Sequence, residues 1–396
     1  MSAEPTGKNW LERHPKKVLF LLIFLVVGSL AVLTEKILAI RAQGLRHPGA
    51  VKRYVKLREF EPLYADILTP NQEALRITDS LMQKGYVLRI DEDGFIMPSR
   101  VHKQPDLTVA FLGGSTTECV YVEEDNRFPY LAGRLLEKKT GLKVNSYNAA
   151  KSGNDSLHSM NILLNKIIAL KPQIVVMMHN INDLSVLLYE GTYWNKHPSR
   201  SPLLEKKLSF KTVMKNLEET GHLIRDLTFP NLSGQLTRWF RFSFRAPADE
   251  FKEVRGKKVH LDQNYLVTQF SLNLQTFINI CQARGITPVL MTMPSRLTAN
   301  PDPLIAKVMK KVEKDQGITY NQFKGAFDLF NETIREVGAR NRILVIDLAQ
   351  KIPPNRENLC DVAHFTEEGS KLVAASVAEA LSPVIASPAK PPGNSN

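Results

Sequence analysis

The stretch "LTVAFLGGSTTECV", residues 107–120, is apolar at its start and becomes polar after two glycines. A short apolar run bounded by glycine is typical of a buried strand. The glycine pair permits a sharp turn and places the hydroxyl of Ser115 directly after the strand. The pattern fits an ordinary strand-to-helix turn as well as an exposed nucleophile. A Walker A phosphate loop is excluded, because it needs a lysine at a longer spacing, and this loop has a glutamate instead.

Four more runs share the apolar, Val- and Ile-rich character of this strand: "KVNSYNAA" at 143–150, "QIVVMMHN" at 173–180, "TPVLMTMP" at 287–294 and "RILVIDLA" at 342–349. Segments with helical periodicity lie between them, such as 128–141 and 264–285. A last helix is expected from about Glu367, with Thr366 as its N-cap. Strands that alternate with helices predict an α/β fold with a mainly parallel five-stranded sheet.

Three polar loops follow directly after predicted strands: "GGSTT", "SGNDS" and "NIND". In a parallel sheet the carboxyl ends of the strands share one edge, and ligands bind there. We therefore expect these loops to lie close together and to form the functional site.

A serine needs a base to act as a nucleophile. His364 is the favoured candidate, because "DVAHFTEEG" places Asp361 three residues before it and after the last strand. A local turn would let the carboxylate bind one imidazole nitrogen and leave the other as proton acceptor. His158 and His179 have no acid in an arrangement that would obviously orient the ring.

An acyl-transfer site also needs donors for the developing oxyanion. Gly153 can offer a backbone N–H, since its missing side chain allows close approach. Asn182 can offer its side-chain amide, and Asn180 is a competitor for that role.

Taken together, these residues resemble the four blocks of the SGNH hydrolases, also called GDSL-type esterases. The serine block is "FLGGSTTE" with Ser115, and the glycine block is "NAAKSGNDS" with Gly153. The third block is "HNIND" with Asn182, and the last is "DVAHFTEEG" with Asp361 and His364. The resemblance spans about residues 108–381.

Two positions depart from the family pattern: Gly114 replaces the aspartate of G-D-S, and Asn180 stands where the family has glycine. The resulting "GGST" block is a variant that resembles membrane-anchored or exported members. The resemblance implies a three-layer α/β/α, flavodoxin-like fold, without metal or cofactor. It also implies that His364, held by Asp361, activates Ser115, and that Ser115, Gly153 and Asn182 form the oxyanion hole.

The segment "KKVLFLLIFLVVGSLAVLTEKILAI" is uncharged from Val18 to Leu33, slightly short of the roughly 20 apolar residues of a membrane-spanning helix. An uncleaved anchor is expected, with a cleaved signal peptide and a buried helix as alternatives. The predicted organisation is a cytoplasmic tail at 1–17, a transmembrane anchor at 18–40, a lead-in region at 41–106, an SGNH hydrolase domain at 107–382 with an insertion at about 185–260, and a disordered tail at 383–396.

The formal net charge of +12 suits an anionic surface or polymer better than nucleic acid, for which the chain has no motif. The aromatic and arginine-rich segment 238–245 could be a lid, a membrane-grazing patch or a sugar-stacking surface, or simply a packed helix. We expect a single-pass membrane esterase with an extracytoplasmic catalytic domain, acting on O-acyl groups of a glycan. A lipase, an acyltransferase and a non-catalytic scaffold are the alternatives. A Cys119–Cys360 disulfide is a further hypothesis, since both residues lie near catalytic blocks.

Overall fold

The structure is a computed structural model that describes residues 14–41, 51–197, 200–207 and 259–386. Two units are present: one comprises Met1–Tyr54 and Glu205–Trp239, and the other Val55–Leu204 and Phe240–Asn396. The aromatic and arginine-rich segment of the predicted insertion, and the end of the predicted C-terminal tail, lie outside the described residues.

The strands are β1 (Val51–Val55), β2 (Ala65–Leu68), β3 (Tyr86–Arg89), β4 (Leu107–Gly113), β5 (Val144–Asn148), β6 (Ile174–Met178), β7 (Leu203–Lys207), β8 (Thr287–Met291) and β9 (Leu344–Ile346). The α-helices are α1 (Pro15–Arg41), α2 (Gln72–Arg76), α3 (Ser115–Glu118), α4 (Phe128–Thr140), α5 (Ser156–Ile162), α6 (Ile181–Glu190), α7 (Gln263–Ala283), α8 (Pro303–Gln316), α9 (Tyr320–Asn341), α10 (Leu348–Lys351) and α11 (Glu367–Ala386).

The central sheet has five parallel strands in the order β5-β4-β6-β8-β9. Helices α4 and α11 pack together on one side, and α7 and α9 pack together on the other. The predicted three-layer fold with a parallel five-stranded sheet is therefore confirmed. The chain reverses direction across the sheet between β4 and β6, which is where open α/β sheets place their ligand sites.

The sequence explains why these elements form. All seven residues of β4 are buried, as a strand covered on both faces requires. Helix α4 has Pro129 in its first turn and ends at Gly141, whose φ is +73°. Helix α11 begins as predicted, because the Thr366 hydroxyl accepts the Gly369 N–H at 3.0 Å.

Strand β5 lies at one edge of the sheet, and residues 96–102 cover it. The Ile96 N–H donates to the Asn148 carbonyl at 3.0 Å. The Val101 and His102 N–H groups both donate to Oδ1 of Asn145. Ile96 also belongs to a second, smaller apolar cluster together with Phe60, Leu88 and Ile90. The lead-in segment is thereby fastened to the sheet.

Two described helices are long and apolar enough to cross a membrane, Pro15–Leu38 and Glu367–Ala386. The second is α11, whose residues Val373, Val377 and Leu381 are buried in the core, so it is a core helix. The first lies in α1, has a mean hydropathy of 2.6 and buries none of its side chains in the protein.

Candidate active site

The turn after β4 presents Ser115. Gly114 is the N-cap of the four-residue helix α3, and Ser115 is the first residue of that helix. A Cβ on Gly113 would lie 2.2 Å from the Thr117 hydroxyl oxygen and 3.0 Å from the Met178 carbonyl oxygen. This close approach requires glycine at 113, and it lets the chain turn tightly enough to leave Ser115 half-buried at the edge of the sheet.

Ser115, His364 and Asp361 form one hydrogen-bonded chain. Nε2 of His364 lies 2.7 Å from Oγ of Ser115, and Nδ1 lies 2.7 Å from Oδ2 of Asp361. The N–H groups of Ala363 and His364 also donate to Oδ1 of Asp361, at 2.9 Å and 2.8 Å.

The protonation state of Asp361 fixes the direction of these bonds. Burial would raise its pKa, but the His364 imidazole and the two backbone N–H groups outweigh this and lower the pKa. An ionised Asp361 can only accept, so Nδ1–H of His364 donates to it. Nε2 is therefore left to accept the Ser115 proton. The ring is also accessible, since 45% of the His364 side chain is exposed to solvent.

Arg296 braces the loop that carries this pair. Its guanidinium pairs with Asp79 and Asp302, each at 2.8 Å, and only 3% of its side chain is exposed. Its backbone N–H donates to the Val362 carbonyl at 2.9 Å, while the N–H of Asp79 donates to the Cys360 carbonyl at 3.1 Å. The loop is therefore tied on both sides, although its sequence gives no hint of these partners.

The three expected oxyanion donors follow neighbouring strands: Ser115 begins helix α3, Gly153 lies in the turn after β5, and Asn182 is the second residue of helix α6. Nδ2 of Asn182 would lie 2.3 Å from a Cβ on Gly114, which places the amide next to the residue before Ser115. The same amide donates to the Asn154 carbonyl at 2.8 Å. Gly153 precedes Asn154 in an exposed turn and has a φ of +76°, which favours glycine.

Asn180 is held in the core instead. Its Nδ2 donates to the Phe327 carbonyl and to Oδ1 of Asn331, both at 3.0 Å. Both amide hydrogens are thus used by helix α9, and the side chain is fully buried. The prediction that Asn180 competes with Asn182 is wrong, because its backbone at φ −167° and ψ −80° directs the side chain to the opposite element.

A second Ser–His–Asp arrangement lies in the interior. Oγ of Ser159 is 2.7 Å from Nε2 of His179, and Oδ2 of Asp183 is 3.4 Å from Nδ1 of the same ring. All three residues are buried, and burial lowers the pKa of His179 to about 4 and raises that of Asp183. This arrangement is closed to solvent and to substrate.

The expectation that His158 and His179 lack an orienting acid is therefore wrong. Asp155 binds Nδ1 of His158 at 2.7 Å, and Asp183 faces His179. The partners are only three and four residues apart, across the starts of helices α5 and α6, and this closeness in the chain could have indicated them.

Glu118 was not foreseen as part of the site. It is the last residue of α3, is 2% exposed, and accepts a hydrogen bond from the Ser152 hydroxyl. Burial raises the pKa of this carboxyl, and the neighbouring Lys151 ammonium and Ser152 hydrogen bond oppose that rise. Glu118 thus ties the serine block to the glycine block.

The cysteines are free thiols. Cys119, Cys281 and Cys360 are all buried, so the hypothesis of a Cys119–Cys360 disulfide is wrong for this structure. Sγ of Cys119 instead donates to the Thr116 carbonyl at 3.1 Å, and burial raises its pKa to about 12. Among the described residues, no group of three or more His, Cys, Asp or Glu side chains is placed to hold a metal ion.

Comparison with known proteins connects this site to a family. The family model described as GDSL-like Lipase/Acylhydrolase matches residues 111–372. No curated protein gives a significant match.

Solved structures are also similar to this chain at low sequence identity. A lipase/acylhydrolase from Enterococcus faecalis is 16% identical, covers 70% of this chain and 96% of its own, and has a TM-score of 0.40. An acetylxylan esterase from Geobacillus stearothermophilus is 14% identical, covers 70% of this chain and 94% of its own, and has a TM-score of 0.39.

Proposed function

Because the chain belongs to the GDSL-like lipase/acylhydrolase family, a family of ester-bond hydrolases, we propose that it is a membrane-anchored serine esterase of the GGST variant. Its proposed substrates are O-acyl, chiefly O-acetyl, esters on a cell-surface or exported glycan. The observation that carries the proposal is the 2.7 Å distance between Oγ of Ser115 and Nε2 of His364. That distance lies within the range in which a base can take a proton from a nucleophile.

In the proposed mechanism, His364 takes the Ser115 proton on Nε2 while Oγ attacks the ester carbonyl carbon. The carbonyl oxygen becomes the oxyanion of a tetrahedral intermediate, and Asp361 stabilises the imidazolium. The intermediate collapses, the proton on Nε2 passes to the leaving alkoxide, and an alcohol departs. Water, deprotonated by His364, then attacks the acyl-enzyme and releases the carboxylic acid and Ser115.

The oxyanion is proposed to be held by the N–H groups of Ser115 and Gly153 and by the Asn182 amide. Asn182 donates one amide hydrogen to Asn154, which leaves its second hydrogen for substrate. Loss of one such donor should lower kcat by about 10²–10³-fold.

The anchor is proposed from helix α1. Its 27 residues give a length of about 40 Å, enough for a hydrocarbon core of about 30 Å. Because its apolar side chains are exposed, lipid is a better solvent for it than water. We place residues 1–17 in the cytoplasm, 18–40 in the bilayer, and the lead-in region and the hydrolase domain at 107–382 outside the cytoplasm.

The choice of glycan over lipid is supported by access, and the net charge is compatible with it. Ser115 is half-buried and almost half of the His364 side chain meets solvent, so an ester on a bulky polymer can reach both. The net charge of +12 would attract an anionic polymer.

The test uses the full-length chain in detergent, with Ser115→Ala as the comparison. Wild type should react with a fluorophosphonate probe and hydrolyse p-nitrophenyl acetate, and the variant should do neither. Labelling that persists in the variant would reject Ser115 as the nucleophile. A wild-type protein that reacts with neither reagent would favour the alternative of a non-catalytic scaffold.

A second measurement separates the substrates. Acetate release from an O-acetylated acidic polysaccharide is expected to exceed fatty acid release from a triacylglycerol emulsion. Faster release of fatty acid from the emulsion would contradict the glycan esterase proposal and favour a lipase. Formation of a new ester with added glycerol would indicate acyl transfer.

A further inference from the structure

Arg58 lies beside the glycine block, although it precedes the matched family region by more than fifty residues. Its guanidinium is bidentate: Nη1 donates to the Gly153 carbonyl at 2.7 Å, and Nη2 donates to the Ser152 carbonyl at 3.0 Å. Two carbonyls of one exposed turn are therefore held by a single planar cation.

The Ser152 carbonyl and the Gly153 N–H belong to the same peptide unit. A cation on the oxygen of a peptide withdraws electron density and makes the N–H a stronger donor. The planar fork of an arginine also fixes the orientation of the peptide plane, which a single point charge would not. Arg58 thus acts on the N–H that the proposed mechanism uses as an oxyanion donor.

The backbone of Arg58 is also connected to the one side-chain donor, Asn182. Nδ2 of Asn154 donates to the Arg58 carbonyl at 3.0 Å, and the Asn154 carbonyl accepts from Nδ2 of Asn182 at 2.8 Å. Asn154 thus links the backbone of Arg58, not its guanidinium, to the Asn182 amide. Arg58 therefore contacts the glycine block twice, with its side chain at Ser152 and Gly153 and with its backbone at Asn154.

The neighbours of Arg58 hold it in place. Glu59 pairs with Lys166 at 2.6 Å, and Phe60 is buried in the smaller apolar cluster. The ammonium of Lys151 lies 3.0 Å above the Phe60 ring. The guanidinium also fills the space beside Gly153: a Cβ there would lie 2.9 Å from Nη2 of Arg58. Glycine at 153 is therefore favoured by its positive φ, and a side chain there would also push the guanidinium aside.

We propose that Arg58 is a positioning residue of the esterase: it orients and polarises the Ser152–Gly153 peptide so that the Gly153 N–H can stabilise the oxyanion. This inference rests on the proposed function, and it extends the functional unit beyond the hydrolase fold into the lead-in segment.

The test measures kcat and KM for p-nitrophenyl acetate with the full-length chain in detergent. Arg58→Ala should lower kcat by about 10- to 100-fold. This decrease is no larger than the one expected when an entire oxyanion donor is removed. KM should change little, because the interaction matters most when charge develops on the oxygen. Methylguanidinium at low concentration should restore part of the activity of Arg58→Ala.

Arg134→Ala is the matched control. Arg134 is also a half-buried arginine that donates to a backbone carbonyl, that of Val144 at 2.8 Å, but it serves helix α4. Its removal should lower the Tm without changing kcat and without response to methylguanidinium. Should Arg58→Ala fail to fold, Arg58→Lys is measured instead, and its kcat should still be several-fold low because an ammonium cannot form the planar two-carbonyl contact.

The outcomes are separable. A reactive wild type with an unchanged kcat in both Arg58 variants, or with a loss confined to KM, would overturn this inference and leave the esterase proposal intact. A wild type that neither reacts with fluorophosphonate nor hydrolyses the ester would overturn both.

Discussion

Gly114 and Asn182 share one small space: a Cβ on Gly114 would lie 2.3 Å from Nδ2 of Asn182. The atom in the way is the far end of a flexible side chain, so the fold can yield by turning the amide aside. Glycine at 114, where the G-D-S pattern has aspartate, therefore leaves room for the Asn182 amide in this chain.

We predict that Gly114→Ala lowers kcat by about 10²-fold, as loss of one oxyanion donor does, with little change in Tm. Gly113→Ala is the matched control, because its Cβ would meet the backbone oxygen of Met178 and the Cβ of Thr117, which cannot move freely. Gly113→Ala should therefore lower the Tm, in contrast to Gly114→Ala. Equal kcat in Gly114→Ala and wild type would show that the Asn182 amide is not needed where it lies.

Ser159→Ala should leave activity and fluorophosphonate labelling close to wild type. The Ser159–His179–Asp183 arrangement is buried, so no substrate reaches it. The variant should instead lose about 1–3 kcal/mol of unfolding free energy, since Nε2 of His179 is left without its partner. Urea unfolding measures that loss. Any label found on Ser159 by peptide mapping would contradict the prediction.

Glu118→Gln should raise the Tm at pH 8 and not at pH 4. Burial raises the pKa of Glu118 in the folded protein above its value in the unfolded chain. The contribution of the protonated carboxyl to stability is therefore fully present below the unfolded pKa. That contribution is lost as the pH rises through the folded pKa. Glutamine keeps an oxygen for the Ser152 hydroxyl without the charge.

The expected rise in Tm is about 2–4 °C for each kcal/mol gained. Differential scanning calorimetry at the two pH values measures it. Glu92→Gln is the control, because Glu92 is exposed. Its change in Tm should be the same small value at both pH values. A Tm for Glu118→Gln below that of wild type at pH 8 would mean that the charge of Glu118 is needed beside Lys151.

All three cysteines should react slowly with a thiol reagent in the folded protein and fully in denaturant. Burial removes the thiolate form, since the pKa of Cys119 and of Cys281 is raised to about 12 and that of Cys360 is also raised. Mass spectrometry without reductant should count three added groups after denaturation. A count of one would establish a disulfide.

Much of the fold could be predicted because the five strands of the central sheet carry apolar runs bounded by Gly, Pro or polar residues. The meeting of Ser115 with His364 could also be anticipated. Each follows a parallel strand, and Asp361 and His364 are close in the chain. Topology brings such residues to one edge whatever the details of packing.

Other features could not be predicted, because they depend on side-chain direction. Asn180 and Asn182 look alike in sequence, and only the backbone at Asn180 turns its amide toward helix α9. Arg58 stands 95 residues from Gly153, in a segment without a motif. A contact over that distance follows from how the lead-in segment is fastened to the sheet, which no local pattern records.

That fastening has a consequence for how the protein can be cut. Residues 96–102 run along β5, where the Ile96 N–H binds the Asn148 carbonyl and the Val101 and His102 N–H groups bind the Asn145 side chain, so they cover part of this sheet edge. A chain trimmed to start at 107 would present β5 bare, and bare edges pair with other molecules. We expect such a fragment to aggregate through β5 as it is concentrated, while one that keeps the lead-in segment stays monodisperse in light scattering.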